Sequence, residues 1–497
     1  MELTRELPAA RRLAFGFLAL LAGGAASAAG VLVANPGKMT RYEVQPGYTL
    51  VAIDNNQLKR DMTKLPRLKA TLEKSLGIPV KSTGIPTYVY VVSDSIWDRY
   101  LEPSSGIPSE FVPTRFANYI IANNTTINRI NLFHEHTHLY LYNQMPGVYP
   151  VWFDEGLAVM MARALYTGSK VEIYPARHGD EGGWIPISRV LRATRSSPDY
   201  LSQQQLYSLH FESHALVYRA LIDDAEFGKQ VFKYLEAVNN IATPLEAEAI
   251  LGDLDDLNSK MRAYVNESGK KKVLMDVESG PDLVLPAGTP VSKLDSLLGI
   301  ATVCLDGGLH LDMVHELLDA AAQEPGSEMR VAAARMRLAA RLEDDAALEK
   351  QYAVLTRDAN DLQSVRAAGL ALYERVRTLE PSDRRTDLST RSVDLLNRSL
   401  ASRADDPEAV WAHAMQAADL ERDMDLALQR LVPMFERLPS NPDMALAAGR
   451  LLYAKGDRNL KPYATAVLRY SNSIEDKRWA AERIAELKKA LGTSGTN

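Results

Sequence analysis

The chain has 497 residues, 46% of them hydrophobic and 24% charged, which is too long for one ordinary core and has the make-up of a globular protein. Its 57 basic and 63 acidic side chains leave a net charge of −6 with no basic cluster, which argues against nucleic acid as a partner. A single cysteine, Cys304, rules out an intramolecular disulfide.

Arg5, Arg11 and Arg12 precede the apolar run Leu13 to Leu21, which gives way to small residues ending Ala26-Ser27-Ala28-Ala29. A charged start, an apolar stretch and an A-x-A-like site are the parts of a signal peptide over residues 1–29. An exported protein of the periplasm or cell envelope is therefore expected. The rival reading is an uncleaved anchor, because apolar or small residues continue to Ala34, and only then is the membrane a partner.

From Tyr42 the pattern is α+β. Leu58, Met62, Leu65, Leu68, Leu72 and Leu76 recur at three- and four-residue steps and stop at Gly77, predicting helix. Thr87 to Val92 and Tyr119 to Ala122 read as strands from their β-branched and aromatic content.

His134-Glu135-His136-Thr137-His138 follows, inside the segment 130–142. On a helix, His134 and His138 lie one turn apart on the same face and can share one tetrahedral metal ion. Glu135, about 100° further round, reaches a metal-bound water rather than the metal. His136 lies about 200° from His134 and is read as a packing or supporting residue. Met145-Pro146-Gly147 and Pro150 break this helix, and Leu157, Ala158, Met160 and Met161 predict another, antiparallel to it. Glu155 in its opening turn can face the histidine pair, and a His, His, Glu set leaves a fourth zinc position open. Asp154 competes for the third place, but is read as a solvated acid at a helix start.

This H-E-x-x-H, followed 17 residues after His138 by Trp152-Phe153-Asp154-Glu155-Gly156-Leu157-Ala158, resembles the gluzincin zinc peptidases. That group holds thermolysin and the aminopeptidase N family. The chain is most similar to the bacterial peptidase-MA-like branch, often joined to helical repeats. The resemblance covers residues 40–266 and implies Zn2+ on His134, His138 and Glu155, Glu135 as general base, and a peptide or protein substrate. Leu209 to Leu221 resembles the family's Y-x-x-S/G-x-A-L-V helix, whose tyrosine stabilises the tetrahedral intermediate. Aligned on Ser213 and Ala215-Leu216-Val217, that position is His210, whose N–H can donate to an oxyanion. Tyr207 is the fallback donor, and an ordinary amphipathic pair of His210 and His214 is the competing account. In gluzincins the strand before the active-site helix is the sheet edge lining the cleft, and aminopeptidases carry an acid there. Residues 117–124 contain none, so an endopeptidase is expected.

Lys270-Lys271-Lys272 and the Gly- and Pro-rich stretch 280–290 mark a linker over 267–295. Cys304 sits among apolar residues and is read as a buried small hydrophobe. His315-Glu316 begins a second match that Asp319 spoils, so it is read as helix surface. Over 296–490, Asp406-Pro407 and Asn441-Pro442 recur 35 residues apart, and Leu451 to Asp457 resembles the helix end and turn of a tetratricopeptide repeat. The expectation is an α+β zincin-like metallopeptidase domain followed by an all-α tetratricopeptide-like repeat domain that binds a protein partner, with a plain helical bundle as the rival. The alternative function is a non-enzymatic envelope scaffold that keeps zinc for structure. Glu135 argues against it and the missing tyrosine argues for it.

Overall fold

In the computed structural model, strands β1 (Met39–Gln45), β2 (Tyr48–Ile53), β3 (Thr87–Val92), β4 (Ser109–Pro113), β5 (Asn118–Asn123), β6 (Leu165–Thr167), β7 (Lys170–Ile173), β8 (Val273–Asp276) and β9 (Thr289–Pro290) form two sheets. Their orders are β4-β5-β3-β2-β1-β9 and β6-β7-β8. The structure describes residues 36–493 except 78–83, 104–106, 145–146, 177–182, 268–270, 279–281, 359 and 472. The expected signal segment 1–29, Met145-Pro146 of the turn, and Lys270, Gly280 and Pro281 of the linker lie outside the described residues.

The first helices are α1 (Asn56–Met62), α2 (Leu65–Leu76), α3 (Asp94–Ile96), α4 (Arg129–Gln144), α5 (Val151–Arg163), α6 (Ile187–Arg192), α7 (Pro198–Leu201), α8 (Gln203–Tyr218), α9 (Ala225–Asn239), α10 (Pro244–Ala249) and α11 (Leu254–Asn266). The later part of the chain is helical: α12 (Lys293–Gly307), α13 (Val314–Ala321), α14 (Glu328–Leu342), α15 (Asp345–Leu355), α16 (Leu362–Val376), α17 (Asp383–Leu400), α18 (Pro407–Asp419), α19 (Met424–Arg437), α20 (Pro442–Ala454), α21 (Lys461–Tyr470) and α22 (Ile474–Thr493). The molecule is thus a mixed α+β structure with a helical C-terminal region.

Strands β2, β3 and β5 run parallel, flanked by antiparallel β1 and β4. Successive side chains alternate between faces. Leu50, Ala52, Val89, Val91, Ile120 and Ala122 enter the core beneath α4 and α5. Val51, Tyr119 and Ile121 enter a second core with α12, α13 and α14. Because both faces are covered, β3 and β5 read as nearly continuous apolar runs.

The expected sheet edge needs correcting. Tyr119 to Ala122 belongs to β5, which lies between β3 and β4, and the edge beside it is β4. That strand has five residues with Pro108 before it and Pro113 at its end, a weak signal that suits an edge, where a missing N–H is tolerated. It does carry an acid, Glu110. Alternation places Glu110 with Val112 on the face toward α12, whereas Ser109 and Phe111 face α4.

Residues Ala34–Asn497 form one compact unit. Within 267–295, β8 pairs with β7 and β9 with β1. Tyr119 donates its hydroxyl hydrogen to Asp306 of α12, and Arg337 of α14 bonds Asp306 at 2.7 Å and Glu374 of α16 at 2.8 Å, tying helices to sheet. Asp406 and Asn441 cap α18 and α20, each with proline in the first turn, so the 35-residue spacing marks two equivalent helix starts. Cys304 is buried, and His315 lies exposed beside Glu316, which pairs with Arg99 at 2.6 Å. Among the described residues no helix is long and apolar enough to cross a membrane.

Candidate metal centre

Helix α4 begins where the Asn128 side chain accepts the N–H groups of Ile130 and Asn131. Asn118 of β5 donates to Asn143 at 2.8 Å, fixing the far end of the helix to the sheet. The turn after it is clamped by Asn239 of α9, which accepts from the Val148 N–H at 2.8 Å and donates to its carbonyl at 3.0 Å. Pro150 then starts α5, which packs on α4, and Glu155 falls one turn in.

His134 and His138 present their Nε2 atoms 3.0 Å apart, with ring planes at 80°. Glu155 Oε2 lies 3.2 Å from His134 Nε2 and 3.4 Å from His138 Nε2. Metal–ligand bonds of about 2.0–2.1 Å at tetrahedral angles set ligand atoms about 3.3 Å apart, so the three atoms are spaced to hold one metal ion. They are the one such triad of His, Cys, Asp and Glu among the described residues. Glu155 is 2% exposed and His138 5%, while His134 at 17% opens the group to solvent on one side.

Asp154 is not the solvated acid expected from the sequence. His138 Nδ1–H donates to it at 2.6 Å, which leaves His138 Nε2 free to face the triad. Arg195 bonds the other Asp154 oxygen at 2.8 Å and lies 3.3 Å from Glu155. Tyr200 donates to Glu155 Oε1 at 3.0 Å, turning the second oxygen toward the histidines. Burial works against the charged His138 ring, but the Asp154 and Glu155 carboxylates outweigh it and hold its pKa well above the ordinary value. Burial alone would raise Glu155, yet the His138 charge and the close approach of the His134, His138 and His210 rings keep it well below the usual carboxylate range.

Glu135 is buried on the next helical position after His134, and Ser109 of the edge strand donates to its Oε1 at 2.8 Å. His136 is turned the other way and fully buried. Its Nδ1–H donates to the Leu132 carbonyl at 2.7 Å, and its Nε2 accepts the Tyr48 hydroxyl hydrogen at 2.5 Å. Burial depresses this ring to about 4, so it is a neutral packing residue.

His210 of α8 brings Nε2 to 3.4 Å from Glu155 Oε2, with its ring 5.8 Å from that of His134. Tyr207 is 60% exposed, and of the two candidate donors it is His210 that stands beside Glu155. Sequence reading missed Ser109, Arg195 and Tyr200. They reach the centre from a short edge strand and from the α6–α8 connection, where no periodic pattern marks them.

Comparison with family models, with curated proteins and with solved structures finds no match to this chain.

Proposed function

We propose that the chain is an exported zinc-dependent peptidase with a zincin-like α+β region and tetratricopeptide-like repeats behind it. One observation carries the reading: two imidazole nitrogens and a carboxylate oxygen 3.0–3.4 Å apart, with the Glu135 side chain one residue along the same helix from His134. Zinc bound by His134, His138 and Glu155 would supply an acidified water and a Lewis acid for the scissile carbonyl. Glu135 takes the proton of the attacking water and passes it to the leaving nitrogen. Ser109 holds that carboxylate in place, and His210 donates to the oxygen on which negative charge develops. Asp154 fixes the ring orientation and tautomer of His138.

The edge strand β4 lies beside Glu135, and an extended peptide can lie along it. Its one acid belongs to the opposite face, which supports an endopeptidase. N-acetylated and free-amine forms of one peptide should then be cleaved at similar rates. The central test is Glu135→Gln, which should keep zinc yet abolish turnover on a mixed peptide library. Undiminished hydrolysis by this variant would sink the mechanism. The scaffold alternative, in which zinc is only structural, predicts no hydrolysis by the wild type at all.

A further inference from the structure

On the sheet face away from the metal centre, a cavity of about 670 Å3 opens between β3, β5 and helices α12, α14, α16 and α18. Its floor is aromatic: Tyr88 and Tyr119 stack with ring centroids 5.8 Å apart, beside Tyr90. Trp411 closes one end, packed 5.5 Å from Phe116 of the β4–β5 turn. Five arginines line it, with three acids.

The acids are already engaged. Arg337 is bound by Asp306 and Glu374, and Arg366 by Asp406 and Glu408. Arg115 pairs with Asp443 at 2.6 Å and lies 4.0 Å over the Trp411 ring. Among the described residues, no carboxylate pairs with Arg341 or Arg377. Arg341 Nε is buried without a hydrogen-bond partner. Arg377 stands at the exposed mouth, its guanidinium 5.9 Å from the centre of the Trp411 ring. The Arg115 and Arg341 charges act against its own, so these cations repel one another as the cavity stands.

We propose that this cavity binds a carboxylate-bearing peptide segment, gripped by Arg341 and Arg377 and packed on the tyrosine and tryptophan rings. A guanidinium fork matches a planar carboxylate in two parallel hydrogen bonds. The volume falls within the range of about 300–1,000 Å3 typical of ligand sites. Aromatic walls beside the cations favour an acid attached to an apolar body over a bare anion. This binding is independent of the metal centre, which lies on the other side of the sheet.

The test is calorimetric titration of the full chain carrying Glu135→Gln, so that the probe survives. The probes are acetyl-Glu-Glu-Tyr-Glu, its glutamine counterpart, citrate and inorganic phosphate. The acidic peptide should bind at least tenfold more tightly than the other three, more weakly as salt rises. Arg341→Gln with Arg377→Gln should weaken it at least tenfold while the thermal midpoint holds, because neither change breaks an ion pair. Arg377→Glu alone, at the exposed mouth, gives the same reading should the double variant misfold. Equal affinity for the glutamine peptide, citrate or phosphate overturns the proposal, as does undiminished binding by either variant.

Discussion

Gly156 follows Glu155 directly and lies where α5 meets α8. A Cβ at this position would stand 2.3 Å from the Ser213 carbonyl oxygen, 2.5 Å from its carbon and 2.8 Å from Val217 Cγ2, where 3.4–4 Å is ordinary contact. The nearest obstacle is backbone, so no side-chain rotation relieves it, and the helices must part by roughly 1 Å. Alanine is the better helix former by about 1 kcal/mol, so on propensity alone Gly156→Ala would stabilise. Overpacking of this kind costs about 1–3 kcal/mol, and a backbone clash belongs at the upper end, for a net loss of about 2 kcal/mol. The displacement also moves Glu155 relative to His210, against a metal-site tolerance of about 0.2 Å. Calorimetric melting with zinc analysis and peptide turnover should therefore show a lower Tm and activity reduced about tenfold or more. An unchanged or raised Tm with full activity would mean that α5 and α8 do not pack this closely.

His134→Ala, His138→Ala and Glu155→Ala should each lose zinc by elemental analysis, whereas His136→Ala should keep it; zinc lost from the last variant would overturn the assignment of helix faces. Asp154→Asn should retain one zinc at saturation but bind it about 10–100-fold more weakly in a chelator competition, and an unchanged affinity would remove Asp154 from the site. His210→Ala should lower kcat about 10²–10³-fold with zinc content unchanged; a change within about twofold, alongside a collapse in Tyr207→Phe, would transfer the donor role to Tyr207. Burial, reinforced by Arg430, lowers His413 in α18 from 6.5 to about 4. The unfolded chain therefore takes up a proton that the folded one refuses, and stability present above pH 6.5 is lost as pH falls toward 4, by at most about 3 kcal/mol. His413→Gln should flatten the fall of Tm across that interval, and an identical slope would show that this ring is not responsible.

Local periodicity determined much that could be read directly from the residues. His134 and His138 share a face because a helix turns every 3.6 residues, and the same geometry aimed His136 at Tyr48 instead. Val89, Val91, Ile120 and Ala122 announced strands because alternation and β-branching are properties of the segment itself. The Asp-Pro and Asn-Pro pairs marked the starts of α18 and α20 because capping is local chemistry. What the elements do to one another was decided only in three dimensions. Asp154 reads as a solvated acid until α4 sets His138 Nδ1 against it. Glu135 gains Ser109 only because β5 pairs on its outer side with a strand too short and proline-bound to be seen in advance. Nothing in the pattern around Arg341 and Arg377 marks them until the sheet and helices bring both to the lining of one cavity whose acids are already taken. The physical reason is the same in each case. Which face a residue occupies follows from its own helix or strand, whereas its solvation and its partners depend on groups distant in sequence that only the packed chain brings within reach.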